Sequence, residues 1–316
     1  MGANRSRRKV VGRKPERAKG EHMAAERKNM GKQEEGTIFK STVEGLDMEH
    51  VIRDYEYSMV TRHFHETYEL YYLLEGQRYY FIDRQTYLVR AGDVVMIKPN
   101  QIHKTSMAGE SYHNRLLLQI DSQLIDSLLK ACGMGGIEEI YGEDASILSI
   151  PESERQKILD LFLQIQRELE ERPRQYMVAV RLKLAELLLT LTRYQRKFEY
   201  QQETQTSQTW KHKKVGEVAD YLLSHPETEE SLEELAKRFF VSKSYLSRIF
   251  REVTSFTVNE YKNMSRIKKS QQLLTHSDYS ITEISELLGF ENLTYFERVF
   301  KKYAGMTPLK YRKAEG

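Results

Sequence analysis

The stretch GFENLTYFERVFKKYAGMTPLKYRK, residues Gly289–Lys313, decides the fold of the C-terminal region. Its apolar residues recur at the spacing of an amphipathic helix, with Phe296 and Phe300 on one face. The same pattern occurs 50 residues earlier, because Tyr245–Phe250 matches Tyr295–Phe300 in its aromatic, arginine and aliphatic positions. This stretch is therefore the second copy of an internal repeat.

The first half of each repeat unit carries a helix-start signal. Ser231–Leu235 matches Ser280–Ile284 at an offset of 49 residues, so the change of offset places an inserted residue in the turn that follows. Each segment begins with a serine followed by an acid three residues later, as at Ser231 and Glu234, which is the pattern of a capping box. Two helices joined by a tight turn form a helix-turn-helix, and the sequence predicts two such units.

The second helix of each unit begins near Ser242 or Glu291 and has a polar, basic face opposite its apolar one. Side chains of these types read base edges and phosphates in DNA. The predicted DNA contacts on the two helices are Lys243, Ser244, Ser247, Arg248, Asn292, Thr294, Glu297, Arg298 and Lys301. Lys262 and Arg266, on the connecting helix, are predicted to contact phosphate.

These features resemble the AraC/XylS family of bacterial transcription regulators over about Val215–Lys313. The resemblance implies an all-α domain, residues 211–316, that binds double-stranded DNA sequence-specifically through both units. It also implies base contacts by Arg248 and Arg298. From the residues alone two alternatives stay open: a helical bundle without a DNA role, and an Arg248 that only pairs with Glu252.

Length and composition fit this organisation. The 316 residues suit two domains, and the absence of any 18-residue apolar run argues against a membrane-spanning helix. The single cysteine, Cys132, excludes a disulfide framework and fits a reducing compartment, so we expect a cytoplasmic protein that does not use the membrane as a partner. Basic residues at the N-terminus have no apolar segment behind them, so no secretory signal is predicted.

Charge is distributed unevenly along the chain. Residues 1–35 carry 11 basic and 5 acidic side chains, and we predict that residues 1–36 form a basic disordered tail. Residues 36–210 carry 20 basic and 26 acidic side chains, whereas Ser242–Lys269 carries 7 and 2. Only the C-terminal region is therefore expected to meet a polyanion. The polar residues 199–210 are predicted to form a linker.

The region from Thr37 to Leu118 has the short, turn-bounded apolar runs of β-strands. Glu69–Leu74 is predicted to be a strand that ends at Glu75-Gly76, and Arg78–Ile82 is predicted to be the next strand. Several strands at this spacing indicate a small sandwich or barrel.

Two amphipathic helices are predicted after the strands, over Glu152–Glu171 and Gln175–Phe198, as a helical hairpin. Their apolar faces are wide enough to pack on the β unit and on a second copy of the chain. We therefore predict a homodimer through residues 152–198, with Leu187 and Leu191 at the interface.

A histidine-rich motif lies among the strands. His63, His65, Glu69 and Gly76 follow the spacing HxHxxxExxxxxxG, and Gly92-Asp93, Pro99 and His103 follow later. Together they resemble the two motifs of the cupin barrel. The resulting fold class is α+β with two domains: a cupin-like barrel with a helical hairpin, residues 37–198, and the all-α double helix-turn-helix. The arrangement implies that the N-terminal domain senses a ligand and dimerises.

The predicted ligand-binding residues are His63, His65, Glu69, Tyr71 and His103. Strand alternation places Glu69 and Tyr71 on one face and Tyr72 on the other. An inward tyrosine would stack on a sugar ring or another planar effector. No cofactor is predicted; the alternative is a metal ion held by His63, His65, Glu69 and His103, three imidazoles and a carboxylate.

Three functions remain in competition at this point. The preferred interpretation is a transcription regulator, without enzyme activity, that responds to a small-molecule effector and has RNA polymerase as a further partner. The second is a metal-dependent cupin enzyme with a helical appendage. The third is a DNA-binding protein without an effector, which does not account for the whole β domain.

Overall fold

The computed structural model describes residues 36–55, 65–142, 146–197 and 210–315. Almost all of the predicted basic tail and linker, and His63, lie outside these residues. The described residues form two domains, an antiparallel sheet domain followed by an all-helical domain, so the predicted α+β class is confirmed. No helix in the described ranges combines the length and the apolar character that crossing a bilayer requires.

The N-terminal domain is built from antiparallel strands. They are β1 (Thr37–Val43), β2 (Leu46–Arg53), β3 (Tyr68–Ile82), β4 (Gln85–Arg90), β5 (Asp93–Ile97), β6 (His103–Met107), β7 (His113–Ile120) and β8 (Ser146–Ser149). Their order is β1-β2-β7-β3-β5-β8, and β4 and β6 both pair with the far end of β3. The first part of β3 therefore pairs with β5 and β7, and its second part pairs with β4 and β6.

The predicted end of a strand at Glu75-Gly76 is wrong, because β3 is one strand of 15 residues that passes through both positions and ends at Ile82. Its register against β7 shifts between Leu73 and Glu75, so the turn-like residues form a bulge. Gly76 has a φ of +86°, and a Cβ there would lie 2.4 Å from the Tyr112 carbonyl oxygen. Glycine thus lets the strand bend and continue where the sequence suggested a break.

Four helices of this domain follow: α1 (Ser122–Ala131), α2 (Ile137–Tyr141), α3 (Glu152–Glu171) and α4 (Tyr176–Lys197). The helices α3 and α4 form the predicted hairpin and pack on the sheet, with the rings of Tyr72 and Phe162 stacked at 5.7 Å. Leu187 and Leu191 are fully buried in this core. They therefore do not lie on the outer surface, as the dimer prediction required.

The C-terminal domain contains α5 (Trp210–Ser224), α6 (Leu232–Arg238), α7 (Lys243–Thr254), α8 (Val258–His276), α9 (Ile281–Leu287), α10 (Leu293–Ala304) and α11 (Pro308–Glu315). Capping boxes begin α6 at Ser231 and α9 at Ser280, as the serine–acid spacing predicts. The pairs α6–α7 and α9–α10 are the two helix-turn-helix units, hereafter the first and second units. Helix α8 connects them.

Candidate functional site

The second helices of the two units bury one face and expose the other. Leu246 and Phe250 on α7, and Phe296 and Phe300 on α10, lie in the helical core. The opposite faces are open to solvent, as major-groove readout requires. The exposed residues there include every predicted contact on these helices: Lys243, Ser244, Ser247, Arg248, Asn292, Thr294, Glu297, Arg298 and Lys301.

Asn292 has an additional structural role. Its side-chain oxygen accepts a hydrogen bond of 2.8 Å from the Tyr295 backbone N–H and so caps α10. Ser242 does the same for α7 with Tyr245. The cap does not use the amide nitrogen of Asn292, which can donate to DNA.

The two equivalent arginines have different surroundings. Arg248 donates to Glu252 at 2.9 Å and lies over the Tyr245 ring, 5.1 Å from its centre. Arg298 lies over Tyr295 at 5.2 Å. The position that matches Glu252 holds Lys302 in the second unit. The alternative pairing of Arg248 thus exists in the structure, and base contact by either arginine stays a prediction.

The connecting helix differs from the prediction at Arg266. Its guanidinium is buried and donates to the carbonyl oxygens of Pro226 at 3.0 Å and Thr228 at 2.9 Å. Burial lowers the pKa of this arginine. Because α8 is enclosed by the other helices, Arg266 lacks the solvent-facing position that a phosphate contact needs. Lys262 is half-buried, and its Nζ donates to the Glu230 carbonyl oxygen at 3.1 Å.

The sheet domain encloses a cavity of about 420 Å³, within the usual range of small-molecule sites. Its lining includes four of the five predicted ligand-binding residues: His65, Glu69, Tyr71 and His103. The fifth, His63, lies outside the described residues. Strand alternation holds as predicted, since Tyr72 leaves the cavity and packs on α3.

Glu69 is the centre of a buried hydrogen-bonded group. Its Oε2 lies 3.1 Å from His65 Nε2 and 3.5 Å from His103 Nε2, and its Oε1 accepts from the Tyr80 hydroxyl at 2.6 Å. Burial alone would raise the pKa of Glu69, but the two histidines hold it well below its usual value. Burial would likewise lower the pKa of His103, and Glu69 raises it instead.

The same group has the geometry of a metal site. Ligand atoms of His65, Glu69 and His103 lie within 4.8 Å of one another. The Nδ1 atoms of the two histidines lie 2.8 Å from backbone oxygens, of Thr67 and Gln101, which aims both Nε2 atoms at Glu69. Metal-ligating histidines are oriented in this way. Three members of the alternative metal set therefore fit such an ion.

Several cavity residues were not predicted from the sequence. Arg53, His113 and Arg115 line the end of the cavity away from Glu69. Tyr80, on the same strand as Glu69, supports the cavity wall by donating to that carboxylate. The two arginines could have been found from the sequence, because Arg53 on β2 and Arg115 on β7 alternate with apolar residues. Arginine is rare at such strand positions unless it faces a polar cavity.

The two domains are in contact at the tip of the β3–β4 hairpin. Arg84 donates to Asp220 on α5 at 2.7 Å, and Lys268 on α8 reaches Asp83 at 3.4 Å. The Tyr261 hydroxyl donates to the Asp83 carbonyl oxygen. We call these contacts, together with those of Ile102, Lys104 and Phe81 described next, the interdomain seam.

Two strands contribute to both the cavity and the seam. On β6, His103 faces the cavity, while Lys104 lies over the Phe256 ring at 5.7 Å and Ile102, the preceding residue, joins the core of the helical domain. On β3, Tyr80 bonds Glu69 and the next residue, Phe81, packs on Tyr261 with ring centres 6.1 Å apart. On β6, neighbouring residues thus touch the ligand cavity and the DNA-binding domain, and on β3 Tyr80 makes the same link through its hydrogen bond to Glu69.

Comparison with known proteins supports both halves of this description. A family model described as an AraC-like ligand binding domain matches residues 45–192, and one described as a helix-turn-helix domain matches residues 235–314. Together they cover more than two thirds of the chain. The chain belongs to the AraC/XylS family.

Relatives of this AraC-family chain are regulators. The Msm operon regulatory protein of Streptococcus mutans is 37% identical over 99 residues, which are 31% of this chain and 36% of that protein. The first relatives are matched over about a third of their length. YdeC of Bacillus subtilis, an uncharacterized HTH-type transcriptional regulator, is 23% identical over 79% of this chain and 85% of its own length. Among solved structures, ToxT from Vibrio cholerae aligns with a TM-score of 0.36 at 14% identity, over 86% of this chain and 99% of ToxT.

Proposed function

We propose that this AraC-family protein is a sequence-specific, DNA-binding transcription regulator whose DNA affinity is set by a small molecule bound in the barrel cavity. It acts in the cytoplasm and catalyses no reaction. The observation that carries the proposal is the double use of β3 and β6, which place cavity residues next to seam residues. Exposed, basic second helices supply the DNA-binding surface.

The coupling follows from strand geometry. His103 and its neighbours Ile102 and Lys104 share one extended backbone, so a ligand that displaces His103 also displaces the residues packed on the helical domain. A ligand shifts an equilibrium only by its different affinity for the two states. The seam offers those states, because its contacts either hold the first unit against the barrel or release it.

The test uses the full-length protein and DNA fragments selected from the source genome by binding. Arg84→Ala combined with Lys268→Ala removes two seam contacts and leaves the cavity and the second helices intact. We expect altered affinity for the selected site and a reduced response to any small molecule that changes the affinity of the parent protein. Arg167→Ala, an exposed change on α3, is the matched control.

Two outcomes would contradict the proposal. If the folded full-length protein binds no DNA fragment at low salt, it is not a DNA-binding regulator. If the seam variant binds DNA and responds to effectors as its parent does, the seam does not couple the domains.

The protein is further proposed to be a homodimer through residues 152–198. On this hairpin Leu163, Val178 and Leu182 are exposed, the latter two to 55% and 56%. Val178→Glu with Leu182→Glu should give a monomer in sedimentation while the circular dichroism stays unchanged. A dimer that persists in this variant would place the interface elsewhere. RNA polymerase is the further partner, to be tested by transcription in vitro from a promoter beside the selected site.

A second candidate function rests on the His65–Glu69–His103 group, whose geometry suits a metal-dependent cupin enzyme. Its test is metal content in the purified protein. One equivalent of metal that is lost in His103→Ala, together with turnover of any substrate, would favour the enzyme. Metal-free protein with full DNA binding would favour the regulator.

A further inference from the structure

The cavity has two chemically different ends, and strand register sets them. In one row across the sheet, Asp47 pairs with Gln119, which pairs with Glu69. At the other end, Arg53 pairs with His113, and Arg115 precedes them by one row along the cavity. Gln119 and Arg115 are four residues apart on β7, which is roughly 13 Å along the strand. The polar and acidic end and the basic end are thus about one small molecule apart.

Positive charge is concentrated at the second end. Arg53 and Arg78 are each at most 5% exposed, and both lie close enough to His113 to act on it electrostatically. Lys40 and Arg115 both contact Glu49, at 3.2 and 3.0 Å, so this single acid serves two cations. Burial chiefly, and the repulsion of Arg78, Arg115 and Arg53 in addition, lower the pKa of His113 to about 4 against the opposing effect of its hydrogen bond to the Ser111 backbone. His113 is therefore neutral near pH 7, and the positive charge at this end is that of the arginines. The region therefore has the positive potential that attracts an anion.

Individual atoms at both ends have hydrogen-bonding capacity to spare. Nη1 of Arg115 is buried and donates to no acceptor in the described parts of the chain, while the guanidinium lies over the Tyr71 ring at 5.8 Å. Oδ1 of Asp47 is buried and accepts from no donor among the described residues. A buried polar group without a partner is costly, and a ligand that supplies partners removes that cost.

We infer that the effector is a hydroxylated organic acid, whose carboxylate or phosphate is bound by Arg115 at the basic end and whose hydroxyl groups donate to Asp47 at the other. This inference rests on the proposed function and names the effector class. A guanidinium matches both acid groups in shape and charge. Tyr71 and Leu117, between the ends, contact the body of the molecule. The hydroxyl-binding end shares a row of the sheet with Glu69 and therefore lies beside the His65–Glu69–His103 group.

The test is calorimetric titration of the full-length protein with matched pairs of compounds. The acids are uronates, aldonates and sugar phosphates, each compared with its neutral parent sugar, and acetate and inorganic phosphate serve as acids without hydroxyl groups. We expect at least one hydroxylated acid to bind tenfold or more tighter than both its neutral parent and the bare acid. Equal or tighter binding of the neutral parents, or no binding by any acid of the panel, overturns the inference.

Variants on the two sides of one ion pair separate recognition from folding. Arg115→Gln should lose at least tenfold in acid affinity, whereas Glu49→Gln should gain severalfold because Arg115 then has no competing carboxylate. Both break the same pair, so damage to the fold would move both in the same direction. Asp47→Asn should weaken the hydroxylated acid and leave inorganic phosphate unchanged. Losses in both Arg115→Gln and Glu49→Gln would contradict an anion site.

Failure of this inference differs from failure of the proposed function. If acids do not bind but a neutral compound changes the DNA affinity, the regulator stands and the effector class is wrong. If acids bind as expected and no DNA fragment is bound, the site stands and the proposed function is wrong.

Discussion

The two helix-turn-helix units have the same helix lengths but different turns. The turn of the first unit contains Phe240 with a φ of +55°, and α7 ends at Ser255 with a φ of +62°. The equivalent residues of the second unit are Gly289 and Gly305, at +66° and +78°. Left-handed backbone costs about 1–2 kcal/mol for residues with a side chain, and glycine avoids that cost. The first unit is therefore the strained copy.

The first unit is also the one that meets the barrel. Lys104 of β6 lies over the Phe256 ring just after α7, and α7 itself contacts β6. The contacts described for α9 and α10 are with each other, with α8 and with α11. A strained unit held at the seam and a relaxed unit away from it suggest that effector control acts on the first, while the second provides steady affinity.

The largest expected effect is a loss of folding stability that involves both units. Arg266→Ala removes a buried guanidinium that bonds the loop before α6 and lies 5.2 Å from the Phe290 ring in the turn of the second unit. Its loss leaves two buried carbonyl oxygens without donors and should lower the free energy of unfolding by about 2–3 kcal/mol. Chemical denaturation measures this, with the exposed Lys269→Ala on the same helix as control. Unchanged stability with weaker DNA binding would restore the predicted phosphate contact.

The next comparison concerns base contact. Arg248→Ala and Arg298→Ala should each weaken binding to the selected site by about 1–3 kcal/mol and relax its sequence preference. Lys262→Ala should weaken specific and random DNA equally, since a phosphate contact carries no sequence information. Gel-shift titrations on both DNAs distinguish these outcomes. An equal loss on both DNAs for either arginine would argue against its reading a base.

A smaller effect should have opposite signs in the two turns. Phe240→Gly relieves the left-handed backbone of a side chain that is 93% exposed, and should stabilise the protein by about 1 kcal/mol. Gly289→Ala should destabilise it by at least as much, because a Cβ there would lie 2.8 Å from the Glu227 carbonyl oxygen. Thermal unfolding of both variants decides the matter. If Phe240→Gly lowered the melting temperature, the phenylalanine would have a stabilising contact that the strain argument lacks.

The smallest effect sharpens the contrast between the arginines. Glu252→Gln frees Arg248 from its exposed partner and should raise DNA affinity roughly twofold to fivefold, because exposed ion pairs are weak. The gain should shrink as salt rises. Lys302→Gln is the matched change in the second unit and should lower affinity instead. A decrease in both variants would mean that Glu252 holds α7 in place through Lys211 of α5, which contacts it at 3.2 Å.

The sequence predicted what local spacing determines. The repeat, the capping serines, the bounds of α3 and the alternation of Glu69 and Tyr72 all depend on residues within a few positions of one another. It did not predict that Arg266 is buried or that Arg115 lines the cavity, because their partners, Pro226 and Glu49, come from distant segments of the chain. Glu75-Gly76 was misinterpreted because a glycine has the same local preference in a turn and in a bulge. The seam, which joins residues 178 positions apart at Asp83 and Tyr261, has no local signal at all.

The alternation along β3 and β6 has a consequence for how such regulators diversify. His103 lines the cavity and Tyr80 bonds Glu69 in its wall, while Ile102, Lys104 and Phe81 face the helical domain, so alternate positions of each strand can change independently. Substitutions at inward positions would alter which compound is recognised and leave the transmission of the signal intact. A lineage, or a protein engineer, could therefore obtain a sensor for a new compound by changing every second residue of β3 and β6.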